Sequence, residues 1–157
     1  MNDNLPQLDE LDRRILNALQ ANASQTNNDL AAAVHASPPT CLRRVRRLVE
    51  LGVIEKQVAV VSPAKVGAQI TAIVEITLDH QGAEKQTEFE ELVAGEAAVL
   101  QCYRVSPGPD FVLIVQVTDM PAYHALAHRV FAAHTNVRNV KSFFSIHRSK
   151  FETRIAV

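Results

Sequence analysis

Residues 37–54, Ser-Pro-Pro-Thr-Cys-Leu-Arg-Arg-Val-Arg-Arg-Leu-Val-Glu-Leu-Gly-Val-Ile, constrain this chain more than any other stretch. Ser37 can cap a helix, and Pro38 suits its first turn, where a missing N–H is harmless. Gly52 suits the stop just past the last turn. With Val45 at the centre of the inward face and steps of about 100° per residue, Cys41, Leu42, Leu48 and Val49 form one apolar stripe. Arg43 and Arg47 then point outward, Thr40 lies on that outer side, and Arg44 and Arg46 sit on the two flanks. Arg46 can pair with Glu50 one turn on, and Arg47 reaches the same Glu50 at three residues, whereas Arg43 and Arg44 have no acid at helical spacing within the helix. So many unpaired cations on one short helix suit a polyanion lying in a groove.

The residues before this helix give it a setting. Leu8, Leu11, Ile15, Leu16 and Leu19 recur at three- and four-residue steps, predicting an amphipathic helix over 9–21. Asp9, Glu10 and Asp12 crowd its first turn, where the helix dipole favours acids. Thr26 and Asp29 resemble a capping box that opens a brief helix carrying Leu30, Ala31 and Val34. His35-Ala36 then turns the chain into the arginine helix, with His35 read as a structural or solvent residue. Three helices in so short a span, the last two joined by a tight turn, make a helix-turn-helix. In that geometry the second helix of the pair enters the DNA major groove by its N-terminal part. Thr40, Arg43 and Arg47 are then expected to face bases, with Ser37, Arg44 and Arg46 nearer phosphates. Residues 53–61 continue as extended chain, a minimal wing at most, until Ser62-Pro63 breaks it at a hinge near 62–68.

From there the period changes. Ile70, Ala72, Val74, Ile76 and Leu78 alternate with their neighbours as in a strand. Residues 83–94 read as a solvated amphipathic helix around Phe89, Leu92 and Val93. Residues 98–105 and 111–117 are two more apolar strands, flanking the loop Ser106-Pro107-Gly108-Pro109-Asp110. Asp119 can cap a helix over 121–133, and 137–146 supply a last strand. The order β-α-β-β-α-β is that of a ferredoxin-like sandwich, giving an α+β chain overall. Two helices cover only one face of such a sheet, yet residues 111–115 are apolar on both faces and Ile73 is apolar opposite Val74. The open face is therefore expected to meet a second copy, making a homodimer.

Composition narrows the function. Of 157 residues, 47% are hydrophobic, enough for real cores, and the formal net charge of −1 excludes a generally basic nucleic-acid binder. Any DNA affinity must come from local charge. Cys41 and Cys102 both sit in apolar patterns and read as buried small hydrophobes in a reducing cytosol. The opening residues lack the regions of a signal peptide, and no apolar run approaches a membrane span, so a cytoplasmic protein with no membrane partner is expected.

These features together resemble the Lrp/AsnC (feast/famine) family of bacterial and archaeal transcription regulators, over nearly the whole chain. Residues 8–16 resemble the family's opening helix. Asp29-Leu30-Ala31, Ser37-Pro38, Cys41-Leu42-Arg43-Arg44-Val45-Arg46-Arg47-Leu48 and Gly52-Val53-Ile54 match its helix-turn-helix signature. The resemblance implies a winged helix-turn-helix DNA-binding domain over 1–54 and an extended linker over 55–67. It implies a ferredoxin-like domain over 68–157 that oligomerises and binds a small effector, typically an amino acid, between subunits. Promoter DNA is the implied partner, and the implied assembly is a dimer, tetramer or octamer. The family's effector loop usually reads Val-Ser/Thr-Gly-x-aromatic-Asp-aromatic. Here Val105, Ser106, Asp110 and Phe111 keep that pattern, Pro107 replaces the glycine, Gly108 lies one place later, and Pro109 replaces the aromatic. Proline has no N–H to offer a ligand carboxylate, which Gly108 can restore in a shifted loop. Ser106, Gly108, Asp110, Met120 and Ser142 are the effector residues the resemblance implies.

Other functions fit less well. His124 and His128 are four apart on one helix, but no glutamate follows His124 and no other ligand joins them, so neither a metal site nor a cofactor is expected. No nucleophile, base or glycine-rich phosphate loop supports an enzyme. The ferredoxin-like half lacks a basic, aromatic platform for RNA, since residues 63–157 hold nine Lys and Arg against ten Asp and Glu. The remaining alternative is an oligomeric small-molecule sensor or interaction module with an altered or lost effector site.

Overall fold

The structure, a computed structural model, describes residues 5–67 and 70–157. It divides into two compact units, one running to Val60 and also taking in Lys150–Val157, the other Val61–Ser149. The expected boundary at residue 68 falls on residues 68–69, outside the described residues.

The first unit holds α1 (Glu10–Ala21), α2 (Asn27–Ala33) and α3 (Pro38–Glu50). Asp9 caps α1 and shares a reciprocal capping box with Asp12, and Thr26 and Asp29 do the same for α2. Ser37 caps α3, its hydroxyl accepting from the Thr40 N–H at 3.4 Å. The turn between α2 and α3 is a Schellman motif, since Ala36 N–H donates to Ala31 O and His35 N–H to Ala32 O. Its left-handed residue is His35 at φ 53°. Gly52, at φ 70°, closes α3 by the same pair of bonds, from Val53 to Leu48 and from Gly52 to Val49.

Ile15, Leu16, Leu30, Ala31, Val34, Cys41 and Leu48 fill the core of this unit. Val157 packs against them, and Gln20 pairs its amide with the backbone of Ile155 in both directions, at 2.8 and 3.0 Å. Residues 150–157, placed with the second domain by the sequence reading, thus form a strap on the first unit. Residues 55–62 are exposed and form no strand.

The second unit is a four-stranded antiparallel sheet in the order β2-β3-β1-β4, built from β1 (Ile70–Leu78), β2 (Val99–Arg104), β3 (Phe111–Val117) and β4 (Val137–Phe144). Its helices are α4 (Ala83–Ala94) and α5 (Met120–Leu126), the latter running on into a wider π-helical segment, Ala127–Ala132. Ala72, Val74, Ile76 and Leu78 of β1 alternate inward with Phe111, Leu113, Val115 and Val117 of β3. They meet Phe89 and Val93 of α4, and Tyr123, Leu126, Val130 and Phe131 beyond. On the other face Ile73 sits between Ile114 and Phe143, and Val112 beside Tyr103. Ile73, Tyr103 and Phe143 are exposed. Cys41 is buried, and its thiol pKa is raised by that burial, but Cys102 lies exposed on edge strand β2. The expectation of two buried cysteines fails there because β2 has no neighbour on its outer side.

Candidate nucleic-acid interface and effector loop

α3 lies on the core through Cys41 and Leu48, both fully buried, with Val45 and Arg44 half-buried beside them. Leu42 and Val49, expected in the apolar stripe, are 41% and 52% exposed. In steps of about 100° the inward direction therefore lies about 50° from Val45, on the Arg44 side. That roll changes which arginines face out.

Arg44 Nη1 donates to Asp9 Oδ2 at 2.6 Å and to Asp12 Oδ1 at 3.1 Å. Arg47 Nη1 donates to the other Asp12 oxygen at 3.0 Å, and its Nη2 to the Gln7 carbonyl at 3.2 Å. The Asp12 side chain is only 1% exposed; each of its oxygens accepts from the recognition helix, and Oδ2 also takes the Asp9 N–H at 3.2 Å in the capping box. Its partners hold the charges of the two elements in balance, two arginines of α3 against two acids of α1. The N–H of Asp12, followed by the Arg44 guanidinium, keeps the Asp9 carboxyl below its usual pKa. The two acids in turn raise Arg44.

Arg47, expected to face bases, turns back to Asp12 in this structure while its side chain stays 41% exposed. Arg44, expected near phosphates, is held by Asp9 and Asp12 as well. Truncating one member of a buried ion pair costs about 3–5 kcal/mol, whereas fully exposing a Leu or Val side chain costs about 1.5–3 kcal/mol. Two aliphatic side chains left only half exposed are therefore a tolerable consequence of satisfying Asp12.

Arg43 and Arg46 remain. Both are exposed and, among the described residues, in no ion pair. They straddle the outward direction of α3, about 30° to either side. Thr40 is half-buried and its hydroxyl is bonded to that of Ser37 at 2.8 Å. Asn27 of α2 donates to the Pro38 carbonyl at 2.9 Å and fixes the start of α3 against the preceding helix. Outside the clamp, then, α3 shows the Ser37 and Thr40 hydroxyls at its N-terminal end and two free guanidinium groups, Arg43 and Arg46, along its outer face. Sequence reasoning assigned the acids of α1 to its helix dipole. No local spacing reveals that residues 9 and 12 meet residues 44 and 47.

In the second unit the loop between β2 and β3 is closed by the Val105 N–H donating to the Asp110 carbonyl at 3.0 Å. Ser106-Pro107 is a cis peptide, and Gly108 takes φ 122°, open to glycine and closed to most residues. Ser106 and Gly108 are exposed at the loop's tip. Asp110 is buried, its Oδ2 accepting from the Leu78 N–H at 2.7 Å and from Gln81 at 3.4 Å. It knits the loop to the end of β1. Ser142 lies on the helix-covered face of β4, where its hydroxyl meets that of Tyr123. Met120 opens α5 and is 37% exposed. A groove of about 370 Å³ beside β2 is lined by Glu90, Val93, Val99, Leu100 and Cys102, and by none of the five residues expected at the effector site. Asn136 was not anticipated: it brackets the backbone of His80, accepting from its N–H at 2.8 Å and donating to its carbonyl at 2.9 Å.

Comparison with known proteins settles the family. A winged helix-turn-helix DNA-binding model matches residues 8–55, and an Lrp/AsnC ligand binding domain model matches residues 71–155. The chain belongs to the Lrp/AsnC family of transcriptional regulators. An uncharacterized HTH-type transcriptional regulator of Haemophilus influenzae is 40% identical over 94% of this chain and 88% of that protein. The leucine-responsive regulatory protein of Escherichia coli is 31% identical, over 96% and 92%. Among solved structures, an AsnC family transcriptional regulator from Agrobacterium tumefaciens superposes with TM-score 0.87 at 35% identity, covering 94% of this chain and 96% of that one. A Neisseria meningitidis transcriptional regulator solved with L-Met superposes with TM-score 0.88 at 28% identity, covering 95% and 96%. This Lrp/AsnC regulator thus joins a DNA-binding helix-turn-helix to a ligand-binding domain of ferredoxin-like fold, the α+β architecture expected from the sequence. Among the described residues no helix is long and apolar enough to cross a membrane.

Proposed function

We propose that this Lrp/AsnC regulator binds promoter DNA from the cytoplasm as a homodimer or larger assembly, placing α3 in the major groove. The observation that carries the reading is the pair Arg43 and Arg46, exposed and unpaired on the outer face of a helix capped by Ser37. Arg43 and Arg46 read bases or grip phosphates, with Ser37 and Thr40 at the groove end of the helix. Arg44 and Arg47 support them from behind as an internal clamp. Arg43→Ala should weaken binding to a selected duplex by roughly 1–3 kcal/mol and relax its sequence preference, as removal of a bidentate base contact does. A fluorescence titration showing unchanged affinity would remove α3 from the interface.

The ligand is proposed to be an amino acid, as in the Neisseria relative solved with L-Met. Ser106 and Gly108 are the loop groups open to it; Met120, a further proposed contact, follows the far end of β3 from that loop. Ser142 is engaged with the Tyr123 hydroxyl and Asp110 Oδ2 with the Leu78 N–H, which leaves Asp110 Oδ1 as the carboxylate oxygen proposed to face a ligand. Purified protein should be screened by thermal shift against the common amino acids, L-methionine included. A ligand at about 100 times its dissociation constant adds roughly 2.7 kcal/mol to the folded state. No shift from any of them, with DNA binding intact, favours the second reading, a regulator whose Pro107 and Pro109 mark an altered or lost amino-acid site.

A further inference from the structure

We infer that Asp12, which lies on α1 outside the recognition helix, is a specificity-positioning residue: its buried carboxylate sets the roll of α3 and thereby decides which arginines reach DNA. The inference deepens the proposed reading of Arg43 and Arg46 and rests on it.

Two settings of α3 compete. Hydrophobicity alone centres the inward face on Val45, burying Leu42 and Val49 and turning Arg43 and Arg47 outward. The structure instead centres it between Cys41 and Leu48, leaves Leu42 and Val49 at 41% and 52% exposure, and turns Arg43 and Arg46 outward. What distinguishes the two is Asp12. One of its oxygens takes Arg44 and the other takes Arg47, at 3.1 and 3.0 Å, and residues 44 and 47 lie on the side of α3 that the roll brings toward α1. A bridge to two residues three apart fixes rotation about the helix axis as a bridge to one does not. Asp9 accepts from the same Arg44 Nη1 and the Gln7 carbonyl from Arg47 Nη2, so the lock has four acceptor atoms on one segment of chain. Arg44 Nε is buried without a hydrogen-bond partner, as if drawn in to satisfy the acids at its other end. Asp12 touches no DNA in this account. Its effect passes entirely through the placement of Arg43 and Arg46.

The test compares a duplex selected by the wild-type protein with a scrambled duplex of the same length, across a salt series. Asp12→Asn keeps the shape of the side chain and removes its charge. It should lower the selected-over-scrambled affinity ratio by roughly tenfold, the scale of a single base contact. Scrambled-duplex affinity should hold or rise as Arg44 and Arg47 are freed toward phosphate. Asp12→Glu, which restores the charge, should recover most of the ratio. If Asp12→Asn does not fold, the charge-balanced combination Asp9→Asn, Asp12→Asn, Arg44→Gln and Arg47→Gln removes two acids and two arginines together and leaves no member of the clamp uncompensated. It should lose discrimination while its scrambled-duplex affinity and salt slope stay at the wild-type values. An unchanged ratio in a folded variant overturns the inference. So does a scrambled-duplex affinity that falls in step with the selected one, because Arg44 and Arg47 would then be contacting phosphates themselves. Arginine-selective dicarbonyl labelling of the DNA-free wild-type chain, mapped by mass spectrometry, separates this from a failure of the DNA reading. Arg43 and Arg46 should react several-fold faster than Arg44 and Arg47, and equal rates at Arg43 and Arg47 would contradict the roll whatever reads the bases.

Discussion

Asp9 and His35 show how much of the DNA-binding unit rests on single groups. Asp9 caps α1 and meets Arg44, and both interactions favour its ionised form. A carboxyl whose pKa is lowered on folding contributes stability that is complete above its unfolded value, near 3.8, and is lost as pH falls through the lower folded value. Asn is as good a cap as Asp, so Asp9→Asn isolates the charge. The stability gap between wild type and Asp9→Asn should be widest near neutral pH and should close under acid, as read by urea unfolding at several pH values. A gap that stays constant would mean the charge contributes nothing. His35 occupies the left-handed position of a Schellman turn that Gly52 occupies at the end of α3. A residue with a Cβ is strained there by roughly 1–2 kcal/mol, so His35→Gly should stabilise the first unit by about 1 kcal/mol in the same assay. A fall in stability instead would show that the imidazole makes a contact worth more than the strain.

At the level of elements, capping and periodicity were legible and packing partners were not. Thr26, Ser37 and Asp119 all cap the helices that their positions suggest, because a cap is a local interaction spanning three residues. The alternation of Ile70 to Leu78 likewise reports a strand with one buried face. The roll of α3 is not legible because its apolar residues do not decide it alone. Leu42 and Val49 yield to an ionic clamp whose acids lie more than thirty residues earlier. The effector loop was partly legible. The positive φ of Gly108 fits the expected shift of the glycine, whereas the burial of Asp110 against Leu78 N–H depends on strand pairing that spacing does not reveal. The exposure of Cys102 and of the flank of β2 is hidden for a similar reason: an apolar strand looks the same from its sequence at the centre or the edge of a sheet.

The whole molecule adds two constraints, a sheet with one uncovered apolar face and a chain that leaves the first unit at Val60 and rejoins it at Lys150. Ile73, Phe143, Tyr103 and the half-buried Val112 and Ile114 crowd that face. An open patch of this kind on an antiparallel sheet is expected to be covered in solution. Ile73→Glu places a charge at its centre and should convert a dimer to monomers in size-exclusion chromatography with light scattering, while α4, α5 and the inner core keep the unit folded. A dimer that survives Ile73→Glu would assign association to another surface. The central claim, that this regulator reads DNA through the outer face of α3, is tested most directly by the salt dependence of duplex binding. Wild type and the Arg43→Ala, Arg46→Ala double variant should be titrated against the same selected duplex from low to physiological salt. For every phosphate the variant no longer neutralises, the slope of log K against log salt flattens by about 0.9. For every base it no longer reads, affinity falls for the selected duplex alone. The double variant should lose discrimination, slope or both; a variant matching wild type in both would contradict the account.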